Sequence, residues 1–323
     1  MKAALCETLD GADGVAVREV DDPGEPGPGQ VRVAVGAAGI SFADLLMTRG
    51  GYQNKPAMPF VVGGEASGHV TAVGDGVSDL AVGDAVLLSS GCVQHAVVDA
   101  AQVNRIPNGV DIEAAASYRS NYATALYGMQ RGRLQATETL LVHGAGGGVG
   151  LAAVDVGKLM GATVIATAST EAKLAVAADM GADHLIDYTE GFREKVKELT
   201  GGLGADVIYD PVGGDVFDES TRCIAPFGRI LIVGFTGGRP ALAKTNHLLI
   251  KDAEAIGFNL GALPGRDPER AARNHRTLMN WLGAGRIRPY VSHRLPIDQA
   301  ADALRLNNAS EVIGNEIVLP LIA

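Results

Sequence analysis

The sequence predicts an α/β protein in two parts: a doubly wound parallel sheet and a small β-barrel of short strands. Three observations carry the prediction. An apolar strand over 139–143 runs into a glycine-rich turn, Gly144 to Gly150, and a helix opens at once. Downstream, strand-like and helix-like segments alternate, as crossover helices on a parallel sheet require. Upstream, short alternating strands are split by Gly, Pro and Asp corners, which is a barrel pattern.

Taken in order, 15–20 and 31–35 alternate apolar and polar residues around a Pro- and Gly-rich loop at 21–29. Further short strands are expected at 61–62, 68–73 and 84–88. The period changes near Tyr122. Strands are then expected over 139–143, 163–167, 184–186, 206–209, 229–233 and 253–258, with helices over 151–160, 171–180, 193–199 and 216–223 between them. Ser169, Thr170 and Glu171 supply a helix cap with an acid in the first turn. A long helix over 268–283 follows Leu263-Pro264-Gly265. The segment 288–292, a helix over 298–306 and a strand over 316–319 then return to the first domain.

Composition narrows the class. The 323 residues allow one or two domains, and 47% hydrophobic with 20% charged residues suits a packed globular chain. The 43 glycines follow no Gly-X-Y period, so they mark turns and close backbone approaches. A net charge of −10 offers no attractive field to nucleic acid or to an anionic membrane. Cys6, Cys92 and Cys223 stand alone, as reduced thiols do. The N-terminus lacks the apolar core of a secretion signal, and no run approaches the ~18 apolar residues of a membrane span. A cytoplasmic protein is expected, without nucleic-acid or membrane partners.

The glycine turn predicts a dinucleotide site. Gly147 lets the backbone approach a pyrophosphate, Gly150 lets the helix pack on the strand, and helix N-terminal N–H groups at Gly148 and Val149 face the negative charge. Ala145 stands where a strict Gly-x-Gly-x-x-Gly would begin, so the glycines run Gly144, Gly147, Gly150. The second strand ends at Ala168, where an NAD site carries an acid for the ribose hydroxyl. With Ser169, Thr170 and Lys173 beside it, this end suits a 2′-phosphate, hence NADPH.

Across its full length the chain resembles the zinc-independent quinone oxidoreductase branch of the medium-chain dehydrogenase/reductase superfamily. The matching pieces include 28–33, 39–44, Gly64 to Gly68, 82–84, 123–128, 144–150, 181–183, 204–207, Asp210 to Gly213, Val233 to Phe235 and 314–319. The resemblance implies a GroES-like β-barrel domain from 1–119 and 263–323, and a Rossmann domain from 120–262. It further implies an active site in the cleft between them, NADPH as hydride donor, and a homodimer through the sheet edge near 253–258. It assigns Thr124 and the backbone of Val233 and Phe235 to the nicotinamide, and Lys173 and Tyr188 to the 2′-phosphate. The positions that hold catalytic zinc in related alcohol dehydrogenases correspond to Ser41, Gly64 and Ser120, a poor ligand set. Lacking a Lewis acid, such a site suits reduction of an electron-poor acceptor better than alcohol oxidation.

This chain also departs from the family. The stretch 309–315 lacks the basic residues relatives carry there, so NADH can also serve. Ser41 replaces a usual Asn, Leu46 replaces an aromatic, and Tyr52 is kept. The polar run Tyr118-Arg119-Ser120-Asn121 is the place to look for unusual substrate specificity.

The implied chemistry is hydride transfer to a quinone or an α,β-unsaturated carbonyl compound. The cofactor ribose hydroxyl and Tyr52, Ser41 or Asn121 are the candidate donors to the developing oxygen charge, and the proton follows from water or Tyr52. Asp44 is expected to bond backbone or Arg49, Trp281 to pack the long helix, and His69, His95, His143 and His184 to be ordinary structural histidines. Two alternatives stay open. An enoyl-thioester reductase would need Arg119, Arg131 and Arg133 to form a phosphate-binding patch. An NADPH-binding sensor or structural protein would show little turnover.

Overall fold

The protein is described from a computed structural model covering residues 1–323 except Asn54, Ser310 and Ala323. Its strands are β1 (Lys2–Cys6), β2 (Val15–Glu19), β3 (Gln30–Ile40), β4 (Phe60–Val61), β5 (Glu65–Val73), β6 (Ala85–Leu88), β7 (His95–Asp99), β8 (Asn104–Arg105), β9 (Thr139–Val142), β10 (Thr163–Ala168), β11 (His184–Asp187), β12 (Ala205–Asp210), β13 (Ile224–Ile232), β14 (Glu254–Gly257), β15 (Val291–Pro296) and β16 (Asn315–Leu319). The helices are α1 (Phe42–Thr48), α2 (Ile112–Ala115), α3 (Arg119–Arg131), α4 (Gly148–Leu159), α5 (Glu171–Asp179), α6 (Arg193–Leu199), α7 (Gly214–Cys223), α8 (Thr245–Lys251), α9 (Leu263–Arg266), α10 (Pro268–Gly283) and α11 (Ala300–Asn308). Two compact units result, one from Met1–Arg119 with Pro289–Ala323, the other from Ser120–Arg288.

In the first unit, a sheet ordered β15-β16-β3-β5-β6-β8, with β7 also on β3, lies with a smaller sheet ordered β2-β1-β4. The long strand β3 organises it. Val31, Val33 and Val35 alternate into the core, and register shifts against β5 at Arg32/Val33 and Val35/Ala37 bend the sheet. This is the expected barrel, and the C-terminal strand β16 joins it antiparallel to β3.

The second unit carries a six-stranded parallel sheet ordered β11-β10-β9-β12-β13-β14, the doubly wound order expected. Leu140, Leu141, Val142, Val207, Ile208 and Tyr209 are all fully buried because helices cover both faces of its central strands. The strand order reverses between β9 and β12, where ligands bind in such sheets.

Several boundaries differ from the sequence expectation. Residues 263–288, expected in the barrel, pack in the parallel-sheet unit. There α10 is joined to α3 by a reciprocal amide pair, Gln130 with Asn274, at 2.8 and 3.1 Å, and it buries Leu278 and Leu282. Asp267 caps its first turn by accepting from Arg270 N, and Pro268 opens it. The Pro264-Gly265 pair marks a boundary in the sequence, but it lies within the short helix α9, and these attachments join segments far apart in sequence. Strand β13 begins at Ile224, before a Pro226-Phe227 corner that hid its first residues. Strands β1, β7 and β8 and helices α1, α2, α3, α8 and α9 were also not expected. The strands are short, and α3 has no clean apolar stripe, since its small residues and tyrosines blur the period.

Candidate functional site

In the parallel-sheet unit, β9 delivers the chain to His143 and then to Gly144 at φ +57°. Gly147 N donates to Gly144 O at 3.0 Å and Ala145 N to Thr167 O at 2.9 Å, which fixes the turn against the end of β10. Helix α4 opens with Gly147 as its cap. A Cβ on Gly150 would stand 2.2 Å from Gly144 O, so the fold itself requires glycine there. A Cβ on Gly147 would meet nothing closer than 3.6 Å. The fold does not fill that space, and it borders the first turn of α4, Gly148, Val149 and Gly150, whose N–H groups have no intrahelical acceptor. Backbone donors with open space before them fit a pyrophosphate.

Lys173 on α5 lies across this turn: a Cβ built on Gly146 would be 2.6 Å from both Cβ and Cγ of the lysine. The side chain is therefore folded over the glycine turn and not extended into solvent. Thr170 caps α5 by accepting from Lys173 N, and Ser169 is half-buried beside it. Ala168, at the end of β10, is level with Asp187 of β11, and Tyr188 follows exposed. Asp187 accepts from Thr189 N and Oγ1, contacts that lower its pKa.

The neighbouring strand ends complete this edge. Gly144 faces Pro211 and Val212, which follow β12. The buried Asp210 carboxylate accepts from Val212 N at 2.8 Å and Gly213 N at 3.0 Å. Val233 N donates to Asp210 O, and Thr236 N and Oγ1 both donate to Pro211 O. The 233–237 loop, with Phe235 exposed, is thereby held at the same end of the sheet as the glycine turn. Thr124 donates its hydroxyl to Ser120 O at 2.7 Å within α3, which leaves its oxygen lone pairs as acceptors.

His143 was expected to be structural, and the structure gives it a definite place. It is fully buried, with Nδ1 3.0 Å from Thr167 Oγ1 and Nε2 2.9 Å from Ser220 Oγ. Ser220 donates its own proton to Val216 O, so it accepts from Nε2–H, and Nδ1 accepts from Thr167. Burial pushes the imidazole down to about 3, so it stays neutral and ties β9, β10 and α7 together beneath the turn. The sequence signal was available: a histidine at the end of an otherwise apolar strand.

The barrel unit holds Ser41, Asp44, Gly64 and Arg119. Asp44 Oδ2 accepts from Ser41 N at 2.8 Å and from Ser41 Oγ at 2.6 Å, which closes the first turn of α1. Of the two partners foreseen for Asp44, the backbone is therefore the one found, and Arg49 donates to Asn308 Oδ1 instead. Burial raises the Asp44 carboxyl, against the lowering effect of Ser41. Burial also raises Glu316 on β16 to about 7, Asn307 opposing it and the charge of Asp44 adding to it. Gly64 presents open space, with Asp44 Oδ1 4.0 Å from where its Cβ would stand. Arg119 Nη2 donates to Gly64 O at 3.3 Å and to Ser89 Oγ at 3.1 Å. Tyr52 is half-buried in the loop after α1, and among the described residues its hydroxyl makes no hydrogen bond. Asn121 belongs to α3 in the other unit.

Among the described residues, no three His, Cys, Asp or Glu side chains are grouped to hold a metal ion, and no helix is long and apolar enough to cross a membrane. Arg133 is ion-paired with Glu254, and Arg119 donates to Gly64 O and Ser89 Oγ.

Comparison with known proteins fits both units. Residues 27–142 match the alcohol dehydrogenase GroES-like domain, and residues 148–275 match the zinc-binding dehydrogenase family. The chain is 37% identical over 308 residues to quinone oxidoreductase-like protein 2 of Mus musculus, covering 94% of this chain and 87% of that protein. It is similar to the structure of Escherichia coli quinone oxidoreductase complexed with NADPH, with a TM-score of 0.87, 26% identity and coverage of 99% and 100%. It is also similar to the structure of a 2-haloacrylate reductase, with a TM-score of 0.79, 30% identity and 99% of each chain covered.

Proposed function

From the premise that this chain belongs to the medium-chain dehydrogenase/reductase superfamily, in its quinone oxidoreductase-type branch, we propose that it is an NADPH-dependent reductase of quinone or α,β-unsaturated carbonyl acceptors. The observation that carries the proposal is the turn at Gly147. It is open to a ligand, lies under a helix N-terminus beside the strand-order reversal, and is crossed by the Lys173 stem. The Escherichia coli relative is an NADPH complex and another neighbour is named for reducing 2-haloacrylate, in line with this reading.

When bound, the reduced nicotinamide supplies a hydride. This chain's residues do the rest. Gly147, Gly148, Val149 and Gly150 receive the pyrophosphate, and Ser169, Lys173 and Tyr188 receive the 2′-phosphate. Thr124 accepts from the carboxamide, and the backbone of Val233 and Phe235 orients the ring. NADH is the weaker donor. Tyr52 and Asn121 are the donors to the developing oxygen charge, and Tyr52 returns the proton. Ser41, whose proton is directed at Asp44, acts by holding α1 in place.

Catalysis is independent of zinc in this reading, because Gly64 contributes no side-chain ligand where a metal ligand would stand. The protein is cytoplasmic and dimeric. Its dimer forms at the β14 edge, beside which Leu249 and Ile250 of α8 are 78% and 76% exposed, an apolar surface suited to a second copy.

The test follows NADPH and NADH oxidation by EDTA-treated protein against an ortho-quinone, a para-quinone, a simple enone and an enoyl-CoA. Metal-independent oxidation preferring NADPH is expected. Binding of NADPH with no oxidation by any acceptor would favour a sensor, and activity lost to EDTA would refute zinc independence. Tyr52→Phe with unchanged turnover would remove Tyr52 as the acid.

A further inference from the structure

The arginines of the barrel unit show a contrast. Arg18, Arg32, Arg105, Arg294 and Arg305 each face a carboxylate, and Arg49 is held by the Asn308 amide. Arg119 is half-buried and held differently. Both of its hydrogen bonds leave from Nη2, one to the carbonyl of Gly64 and one to the hydroxyl of Ser89. Among the described residues, no carboxylate pairs with this guanidinium and neither Nε nor Nη1 makes a hydrogen bond. Two neutral acceptors thus fix a permanent cation beside a corner with no side chain, and leave it donors to offer. A guanidinium so placed is a seat for a planar anion.

Asp44, on the other side of the Gly64 corner, is engaged elsewhere: it is bonded through Oδ2 to Ser41, and its burial favours the uncharged form.

We propose that Arg119 selects acceptors that carry a free carboxylate next to the conjugated system, making the preferred substrate an unsaturated oxo-acid and not a neutral enone or quinone. The inference rests on the reductase reading above. The reaction it implies is balanced. The acceptor gains a hydride at one alkene carbon and a proton at the other, its C=C bond becomes single, and NADPH leaves as NADP⁺. The carboxylate is a handle and is unchanged.

The experiment compares trans-4-oxo-2-pentenoate with its methyl ester, which share one enone and differ in charge. With NADPH and the full chain, the acid is expected to show kcat/KM about tenfold or more above the ester, the gain lying in KM. Arg119→Gln should raise KM for the acid about tenfold and leave the ester and NADPH affinity within about twofold, with Arg119→Lys intermediate. Calorimetry with the saturated acid, 4-oxopentanoate, gives a readout without turnover: binding to wild type is expected, with loss in Arg119→Gln. Equal use of acid and ester by wild type would overturn the inference with the reductase reading intact. So would an equal loss on both acceptors in Arg119→Gln, since that would mean the guanidinium acts on the shared ketone or on the fold. If no acceptor is reduced, the reductase reading fails, and the preferred-substrate inference falls with it.

Discussion

The two units build their sites from different materials. The parallel-sheet unit uses backbone: a glycine turn, helix N–H groups and strand ends fastened to one another through Asp210 and His143. The barrel unit uses side chains: Ser41 on Asp44, Arg119 on Gly64 and Ser89. A backbone site tolerates most side-chain changes around it but not an added Cβ. A side-chain site depends on its own few residues and can be retuned by one substitution. Each unit also buries a group with a displaced pKa, the neutral His143 imidazole in one and the raised Glu316 carboxyl in the other.

The sharpest way to break this comparison is a pair of alanines in one turn. Gly150→Ala drives a Cβ to within 2.2 Å of a carbonyl oxygen and is expected to unfold the parallel-sheet unit, read by circular dichroism. The loss is about 3 kcal/mol or more. Gly147→Ala, with 3.6 Å of clearance, should leave the melting temperature nearly unchanged. It should weaken NADPH binding about 10- to 100-fold in a fluorescence titration, because the methyl would fill the space proposed above for the pyrophosphate. If the second variant binds NADPH as wild type does, the turn is not the phosphate seat.

Opposite pH dependences follow from the buried groups. Glu316 titrates at about 7 when folded and at its ordinary 4.5 when unfolded, so the folded barrel holds the extra proton between those values. Its stabilising contribution is complete below 4.5, falls as pH rises through about 7, and then levels off. Glu316→Gln should remove that slope in chemical denaturation across the same range. His143, at about 3 against an ordinary 6.5, has the reverse sign: the unfolded chain takes the proton first, so stability is lost as pH falls below 6.5. His143→Gln should flatten the acid limb. Finding either slope unchanged in its variant would show that the burial assigned to that group does not govern it.

The smallest effect is expected at Lys173. Lys173→Ala should weaken NADPH about fivefold and NADH hardly at all, because one partly exposed cation on a phosphate contributes about 1 kcal/mol. An equal loss for both cofactors would mean the stem only packs the turn.

The strand–turn–helix at Thr139 to Gly150, the alternation after Tyr122 and the missing acid at Ala168 could all be read in the sequence, because each depends on local geometry or on a period of a few residues. So could the histidine after β9, though its partners could not: Thr167 and Ser220 lie on elements that only the folded sheet brings beside it. The same limit hid the attachment of α10, which depends on Gln130 meeting Asn274. It hid the place of Arg119 as well. The sequence marked Tyr118 to Asn121 as unusually polar, and the charge on the arginine was plain. That this charge rests on the Gly64 carbonyl and the Ser89 hydroxyl, with no carboxylate to quench it among the described residues, was decided by the tertiary structure alone. Local sequence determines backbone conformation, whereas the field at a side chain is set by groups the chain brings to it from far away.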